Sequence, residues 1–376
     1  MEKDLGYRKI QSTGRGSYII SLPKEWVQSI GIEKGNEIAF KLQEDFSLLL
    51  TPSKIIEEKV SRSKPEIKEC WIYVHEKDDP KTICRKIISL YVINADLIHV
   101  RFANNKAIEH KIAIKNLVKT ILLGAEIIDE SQNIITIQIL INHPEFPIEK
   151  AIRRMIILAL LANKTAVSML IEKDEDTNKI NEYKSDVARL NLYVLRQLKF
   201  GLERVRFTEL GFKSPKEFLG YRIIINDIKS IADNAAIITH NIDNLRKMIR
   251  DQQLFIKEKI DEEVYAQILE INSKAHQLFE ESISAMFKRD YEHADKIIFE
   301  TESLSKQERN LMLTILSKKL DPMVSSIFSL ILDNSRRIIE YAIDISEVTL
   351  NRTIEEVVER NTLPHNKEKN NQSLYH

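Results

Sequence analysis

The sequence predicts a multidomain α+β protein: a small β module, a small α/β domain and a C-terminal region of long helices. Residues 1–53 alternate with period two and carry several of the 9 glycines. Residues 66–143 mix strand-like and helix-like segments, and residues 147–358 consist almost entirely of helical patterns. A chain of 376 residues suits two or three domains. We expect the polar tail, residues 361–376, to be disordered.

Composition excludes several classes of protein. Lys plus Arg total 56 and Asp plus Glu total 56, so the chain is not a uniformly basic nucleic-acid coat, although a local basic patch stays open. Two cysteines, Cys70 and Cys84, cannot form a disulfide framework or a four-cysteine zinc site. The N-terminus lacks the apolar core of a secretory signal, and the apolar run 155–162 is too short to cross a bilayer. We therefore expect a cytoplasmic protein without membrane insertion.

The N-terminal module has the order β-turn-β-α-β-turn-β. Its predicted strands cover residues 7–11, 17–22, 37–42 and 47–51. Pro23 opens a short helix over residues 24–30, and Gly31 follows its end. About 50 residues are too few to bury a stable core alone, so we expect this module to dimerise.

The middle segment predicts a βαβαββ unit. Its predicted strands cover residues 67–74, 95–101, 125–128 and 134–141, and its predicted helices cover residues 80–91 and 108–123. Asp79 and Pro80 give the first helix its N-cap and its first residue. The motifs in this segment indicate no chemistry.

The C-terminal region predicts six helices with short connections, as in antiparallel bundles. Their expected spans are 147–173, 178–208, 215–250, 254–288, 290–319 and 322–358. Ser214, Pro215 and Glu217 predict a capping box at the third helix, and Asp321 with Pro322 predicts a cap at the sixth.

The third and sixth helices form an internal repeat at an offset of 107 residues. Residues 221–238 align with residues 328–345. Four apolar pairs match on one helical face: Ile224 with Ile331, Ile231 with Ile338, Ala235 with Ala342 and Ile238 with Ile345. Two tandem three-helix units follow from this repeat.

The segment from Tyr7 to Lys24 is locally basic. It holds four bases (Arg8, Lys9, Arg15 and Lys24) and no acid, so two interlocked chains would present +8. Bases that neutralise phosphates give salt-dependent binding to nucleic acid. A solvated strand face is the alternative interpretation of the same charges.

Residues 7–52 resemble the swapped-hairpin DNA-binding domain of the AbrB/SpoVT family. The resemblance rests on Arg8-Lys9, on Gly14-Arg15-Gly16-Ser17-Tyr18, on Ser21-Leu22-Pro23-Lys24-Glu25-Trp26 and on Gly31 with Lys34-Gly35-Asn36-Glu37. It implies a swapped-hairpin homodimer that binds DNA. The expected DNA-contacting residues are Arg8, Lys9, Ser12, Thr13, Arg15, Ser17 and Lys24.

Residues 147–358 resemble the PhoU family, whose fold is a pair of repeated three-helix bundles. The resemblance rests on Ile231-Ala232-Asp233-Asn234-Ala235 and on Ile338-Ile339-Glu340-Tyr341-Ala342. Together the two resemblances cover about two-thirds of the chain. The pairing looks like archaeal phosphate-uptake regulators that fuse the two modules.

The PhoU resemblance raises the question of a metal site. The family's Glu/Asp-x-x-x-Asp motifs bind metal clusters, and Asp233 and Glu340 are the candidate ligands in this sequence. Four residues before them, however, stand Lys229 and Arg336. We therefore favour i,i+4 ion pairs over a metal site and expect no cofactor.

No catalytic constellation is visible. Gly14-Arg15-Gly16 lacks the third glycine and the long helix of a nucleotide-binding loop, and the histidines are scattered. We therefore expect no enzyme. The two resemblances imply a DNA-binding transcriptional regulator of phosphate uptake whose helical domain senses a signal or binds a partner. The alternative is a PhoU-type adaptor that negatively regulates a phosphate transporter or its signalling kinase through protein contacts, without binding DNA.

Overall fold

The computed structural model describes most of the chain. The described residues are 6–12, 16–42, 47–53, 67–75, 77–103, 108–141, 146–172, 177–203, 207–251 and 260–362. The chain divides into two compact units, Met1–Ile67 and Lys68–His376.

The first unit contains two short antiparallel strand pairs and one helix. Its elements are β1 (Gln11–Ser12), β2 (Tyr18–Ile19), α1 (Lys24–Ser29), β3 (Ile38–Leu42) and β4 (Leu48–Pro52). Strand β1 pairs with β2, and β3 pairs with β4. The predicted order of elements is confirmed, although β1 and β2 are shorter than expected. Pro23 lies at the N-cap of α1 in an extended conformation, directly before the helix, and its carbonyl accepts from the Val27 N–H.

The second unit begins with a four-stranded α/β layer. Its elements are β5 (Glu69–Val74), α2 (Pro80–Val92), β6 (Leu97–Phe102), α3 (Ile108–Thr120), β7 (Ala125–Glu130) and β8 (Ile134–Ile139). The sheet order is β5-β6-β8-β7, with β5 parallel to β6 and the other pairs antiparallel. The predicted βαβαββ order is confirmed. The Asp79 carboxylate accepts from the Thr82 N–H and caps α2 as expected.

Alternate residues of the strands turn one face of this sheet toward the two helices. Ile72, Val100 and Ile137 are buried there with Ile83 from α2 and Ile114 from α3. The period of two thus separates this apolar core from the other face of the sheet, on which α2 and α3 do not lie.

Six long helices follow. They are α4 (Ile148–Ser168), α5 (Thr177–Glu203), α6 (Glu217–Asp251), α7 (Glu262–Lys288), α8 (Tyr291–Ser317) and α9 (Pro322–Thr362). Helices α4, α5 and α6 pack against one another, as do α7, α8 and α9, and α6 also packs against α9. The helices thus form two triplets. The Asp321 carboxylate accepts from the Met323 N–H and caps α9 as predicted.

The repeated helical face lies in the core. Its eight apolar residues are fully buried: Ile224, Ile231, Ala235, Ile238, Ile331, Ile338, Ala342 and Ile345. The predicted apolar face of the repeat is therefore confirmed as core. At the start of α6, the backbones of α6 and α9 come close together. A Cβ on Gly220 would lie 2.4 Å from Val348 Cγ1.

The predicted capping box at α6 is wrong in its geometry. The helix begins at Glu217, and the carboxylate of this residue accepts from the N–H of Lys213 at 3.0 Å instead of the N–H of Ser214. The same carboxylate is buried and receives the guanidinium groups of Arg289 and Arg352. These two partners come from the end of α7 and from α9, so tertiary ion pairs decide the position of Glu217.

Two buried polar contacts join elements of the second unit. Arg196 of α5 donates to the carbonyls of Tyr91 and Ala95 at 2.7 and 2.9 Å, which ties the helices to the α/β layer. Asn163 of α4 donates to Asn334 of α9 and accepts from Asn272 of α7, at 2.5 and 3.1 Å. Because buried amides need partners, the second contact fixes how the first triplet meets the second. In the part of the chain that the structure describes, no helix is long and apolar enough to cross a membrane.

Candidate nucleic-acid interface

The described part of the basic segment lies on the surface of the first unit. Arg8, Lys9 and Ser12 are exposed before and in β1, and Ser17 is exposed just before β2. Lys24 is exposed at the first residue of α1. The pairs Gln11–Ile19 and Ser12–Tyr18 set the hairpin register, so Ser12 and Ser17 lie at the two ends of the same connection. This arrangement places the charged and hydroxyl side chains at the surface, within reach of a phosphate backbone.

Two of the predicted contact residues, Thr13 and Arg15, lie outside the described residues. Gly16, which follows them, has φ +78°, a conformation that glycine adopts without strain. Arg8 donates to the carbonyl of the neighbouring Tyr7 at 2.9 Å. This bond uses one of the five N–H groups of the guanidinium, which has further donors for a phosphate. The DNA-contact assignments of all seven residues stay predictions.

One face of the β3–β4 hairpin is apolar along its whole length. The pairs Phe40–Leu50, Leu42–Leu48 and Ile38–Pro52 lie on this face. Phe40 is 64% exposed and Leu42 is 63% exposed in the single chain. A hairpin with such a face needs a partner surface, because contiguous exposed apolar patches mark interaction sites. We refer to these six residues as the hairpin face.

The comparisons with known proteins bear on this unit. Residues 11–57 match the family model described as "Antidote-toxin recognition MazE, bacterial antitoxin". The N-terminal segment is an AbrB/SpoVT-like domain of the MazE type. This confirms the N-terminal resemblance, which implies DNA binding and dimerisation. The match covers about an eighth of the chain.

The rest of the chain has no such support. None of the curated proteins matches the sequence. No family model supports the PhoU resemblance of residues 147–358, and this part of the assignment stays a prediction. What the structure establishes for these residues is a mainly helical region with two packed triplets.

The two candidate metal ligands are both engaged by bases. The Asp233 carboxylate receives Lys229 from its own helix and Lys184 of α5, the latter at 3.4 Å. Glu340 receives Arg336 at 2.6 Å. Both of the predicted i,i+4 ion pairs are therefore present. Among the described residues, no three His, Cys, Asp or Glu side chains group as the ligands of a metal would.

Sequence reasoning missed a buried acid at the seam between α6 and α9. Asp227 is only 6% exposed, and its Oδ2 has no hydrogen-bond partner among the described residues. Burial, reinforced by the nearby Asp344, raises the pKa of Asp227 to about 7. The pKa of Asp344 is also raised, by burial and by Glu347 and Glu340. The seam thus carries a carboxyl group that titrates near neutral pH.

A signal for this acid was present in the sequence. Asp227 lies three residues after Ile224 and four before Ile231, which is a core position of the repeated face. The offset of 107 residues aligns it with Asn334, which is also buried and belongs to the Asn163 contact. A polar residue at the same core position in both repeats predicts a buried polar site at the centre of the helical region.

Proposed function

We propose that the protein is a DNA-binding transcriptional regulator that acts as a homodimer through its MazE-like domain. The observation that carries the proposal is the combination of this domain with the exposed bases Arg8, Lys9 and Lys24 and with the exposed apolar residues of the hairpin face, such as Phe40 and Leu42. The hairpin face supplies the reason to dimerise, and the basic segment supplies +4 for each copy. The proposal includes a cytoplasmic location and no enzymatic activity.

We further propose that the helical region senses a signal or binds a partner in phosphate homeostasis. The PhoU resemblance and the two packed triplets support this role. An effector could change DNA binding only if it binds two conformations of the chain with different affinity. Transcript levels of phosphate-transporter genes in a deletion strain, measured in high and low phosphate, test this part; unchanged levels in both media would contradict it.

Binding to the DNA upstream of the protein's own gene tests the DNA-binding role. The full chain is titrated against this duplex and against a scrambled duplex at two salt concentrations. We expect sequence preference and an affinity that falls with salt by a slope of about 0.9 for each phosphate contact. Arg15→Ala should weaken binding and make the slope shallower by about one contact.

Lys34→Ala is the matched control, because it removes one exposed base from the same domain outside the basic segment. It should leave the affinity and its salt slope nearly unchanged. Equal losses in the two variants would indicate a general charge effect rather than an interface at residues 7–24.

The second candidate function is the adaptor that contacts a transporter or a signalling kinase. The observation in its favour is a cleft of about 320 Å³ between α7 and α8, lined by Phe299 among polar residues. Phe299 is 75% exposed, which is unusual for a phenylalanine without a partner. An intact dimer that binds neither duplex at low salt would favour the adaptor over the regulator.

A further inference from the structure

A small cleft between α7 and α8 has an apolar floor and an aromatic wall. Leu278 of α7 and Leu304 of α8 line it and are almost fully buried, at 7% and 4% exposure. Phe299 of α8 also lines it, yet this side chain is 75% exposed. A buried apolar floor beside an exposed aromatic ring suits a flat ring system that stacks on the phenylalanine. We call this site the α7–α8 cleft.

The size of the α7–α8 cleft fits a small molecule better than a protein segment. Its volume is about 320 Å³, near the lower limit of small-molecule sites. The lining runs from Lys274 to Leu278 on α7 and from Phe299 to Gln307 on α8, which is little more than one turn and about two turns. A docked helix would need a longer groove, with anchors over several turns.

The polar lining offers hydrogen-bond donors and acceptors side by side. Gln277 of α7 donates to the Glu281 carboxylate at 2.9 Å, and this bond uses one of the two N–H groups of its amide. Ser303 and Gln307 are exposed, and they follow Phe299 at intervals of four residues on one side of α8. A side-chain amide matches the edge of adenine, because that edge also presents one donor beside one acceptor.

The charges of the lining favour a neutral ring. Lys274 and Glu300 are the charged residues among those that line the cleft, so one base and one acid give it no net charge. Lys274 lies 2.6 Å from Glu270, and Glu300 lies 3.2 Å from Lys296. Guanine presents two acceptors and is read best by Arg or Lys, whereas the ammonium group of Lys274 is bound to a carboxylate. Adenine therefore fits this lining better than guanine.

We propose that the α7–α8 cleft binds the adenine ring of a nucleoside or nucleotide. The ring stacks on Phe299 above the two leucines, and the glutamine amides bond its edge. The ribose and any phosphates point to solvent, because the lining adds no base beyond the paired Lys274. This binding goes beyond the proposed function, since the cleft lies within one chain and needs neither DNA nor dimer formation. In the adaptor, by contrast, a protein side chain would cover Phe299.

Saturation-transfer NMR of adenosine with the full chain tests the proposal. The nucleoside is used at about millimolar concentration, because a ligand of this size in an open cleft should have a dissociation constant on the order of 0.1–1 mM. The base protons should receive more saturation than the ribose protons, since the base is the part in contact with the protein. Adenosine monophosphate should bind about as well as adenosine, and guanosine and uridine should bind at least about threefold more weakly.

Variants of Phe299 separate stacking from general apolar contact. Phe299→Ala and Phe299→Leu should each weaken adenosine binding about tenfold, whereas Phe299→Tyr should keep it within about twofold. Leu313→Ala is the matched control and should change nothing, because Leu313 is another exposed apolar residue of α8 that does not line the cleft. Gln277→Leu combined with Gln307→Leu should keep the stacking and remove the preference for adenosine over guanosine. All of these positions are exposed, so the unfolding transition should not move.

Each outcome decides the assignment of the cleft. Base protons that receive no saturation in any of the nucleosides overturn it, as do wild-type affinity in Phe299→Ala and equal binding of guanosine and adenosine. Duplex binding measured on the same samples keeps this inference apart from the proposed function. A chain that binds adenosine through Phe299 but binds no duplex supports the cleft assignment and overturns the regulator. A chain that binds the duplex but no nucleoside overturns the cleft assignment and leaves the regulator standing.

Discussion

The two units of this chain bury their apolar residues in opposite ways. In the first unit half of the hairpin face stays exposed, with Phe40 at 64%, Leu42 at 63% and Leu48 at 55%. In the second unit the matched residues of α6 and α9, such as Ile231 and Ile338, are fully buried within one chain. The second unit therefore carries its own core, whereas the first unit needs a partner surface to complete one. The stability of the first should depend on protein concentration, and that of the second should not.

The largest effect should come from a charge on the hairpin face. Phe40→Asp puts a carboxylate where the dimer would bury an aromatic ring, and an unpaired buried charge costs several kcal/mol. We expect dimer formation and DNA affinity to fall on the order of a hundredfold or more. Sedimentation and DNA titration measure the two losses, and the unfolding transition of the second unit should stay unchanged.

Ala39→Asp is the control, because Ala39 lies on the opposite face of the same strand and is exposed. It should keep the dimer. If Phe40→Asp dimerises as well as the wild-type chain, the hairpin face is not the interface, and the contrast between the two units fails.

Much of this difference between the two units could be predicted from local sequence patterns. The alternation in residues 37–51 predicted β3 and β4, and the small size of the module predicted a partner. The 3.6-residue period and caps such as Asp79 and Asp321 predicted most helix ends to within about five residues, but α7, which was expected from residue 254, begins at Glu262. The local pattern predicts a capping box at Glu217, but the carboxylate binds Arg289 and Arg352, which lie far away in the sequence. Tertiary ion pairs of that kind leave no local pattern.

The next effect concerns the buried acid at the seam between α6 and α9. The pKa of Asp227 is about 7 in the folded chain, above the ordinary carboxyl value of 3.8, so the folded state binds this proton more tightly than the unfolded state. The proton on Asp227 therefore stabilises the folded chain. This stabilisation is complete below about pH 4 and is lost as the pH rises through about 7. It amounts to a few kcal/mol at most, since one pKa unit corresponds to about 1.4 kcal/mol.

Asp227→Asn should remove this loss. Urea unfolding at pH 5 and pH 8 gives the free energy of unfolding of the variant and of the wild-type chain, and the difference between the two measures the loss. The variant should be the more stable of the two at pH 8, and the gap should narrow at pH 5. Asp344→Asn is the comparison, because it should lower the pKa of Asp227 by removing one nearby carboxylate. If the free energies of unfolding of Asp227→Asn and the wild-type chain differ by the same amount at pH 5 and pH 8, Asp227 is already ionised in the folded chain at pH 5.

A smaller effect should come from the close approach at Gly220. Alanine in a helix is ordinarily about 1 kcal/mol better than glycine, but its Cβ would lie 2.4 Å from Val348 Cγ1. We therefore expect Gly220→Ala to lower the free energy of unfolding by about 1–3 kcal/mol. Adding Val348→Ala should return part of the loss, since the clash is then removed. If the single variant is more stable than the wild-type chain, the two helices have room to separate.

Other parts of the core could have been predicted only by comparing the repeats. Asp227 and Asn334 share one repeat position, yet among the described residues only Asn334 bonds to an amide, that of Asn163 of α4. Which helix supplies that partner depends on how the triplets meet, and helix patterns alone do not contain this. The stacking of Trp71 on His99 was equally hidden, since Trp71 looks like an ordinary strand residue until the sheet order places His99 beside it.

The smallest effect should come from the acids that the PhoU resemblance singles out. Asp233 is bound by Lys229 and Lys184, and partly exposed ion pairs contribute about 1 kcal/mol or less. Asp233→Ala should therefore change the free energy of unfolding by no more than that. Because two ammonium groups already neutralise this carboxylate, elemental analysis of the gently purified full chain should find little Fe, Zn or Ni. Near-stoichiometric metal that disappears in Asp233→Ala would contradict this, and it would show that the second unit, like the first, is incomplete without something outside its own chain.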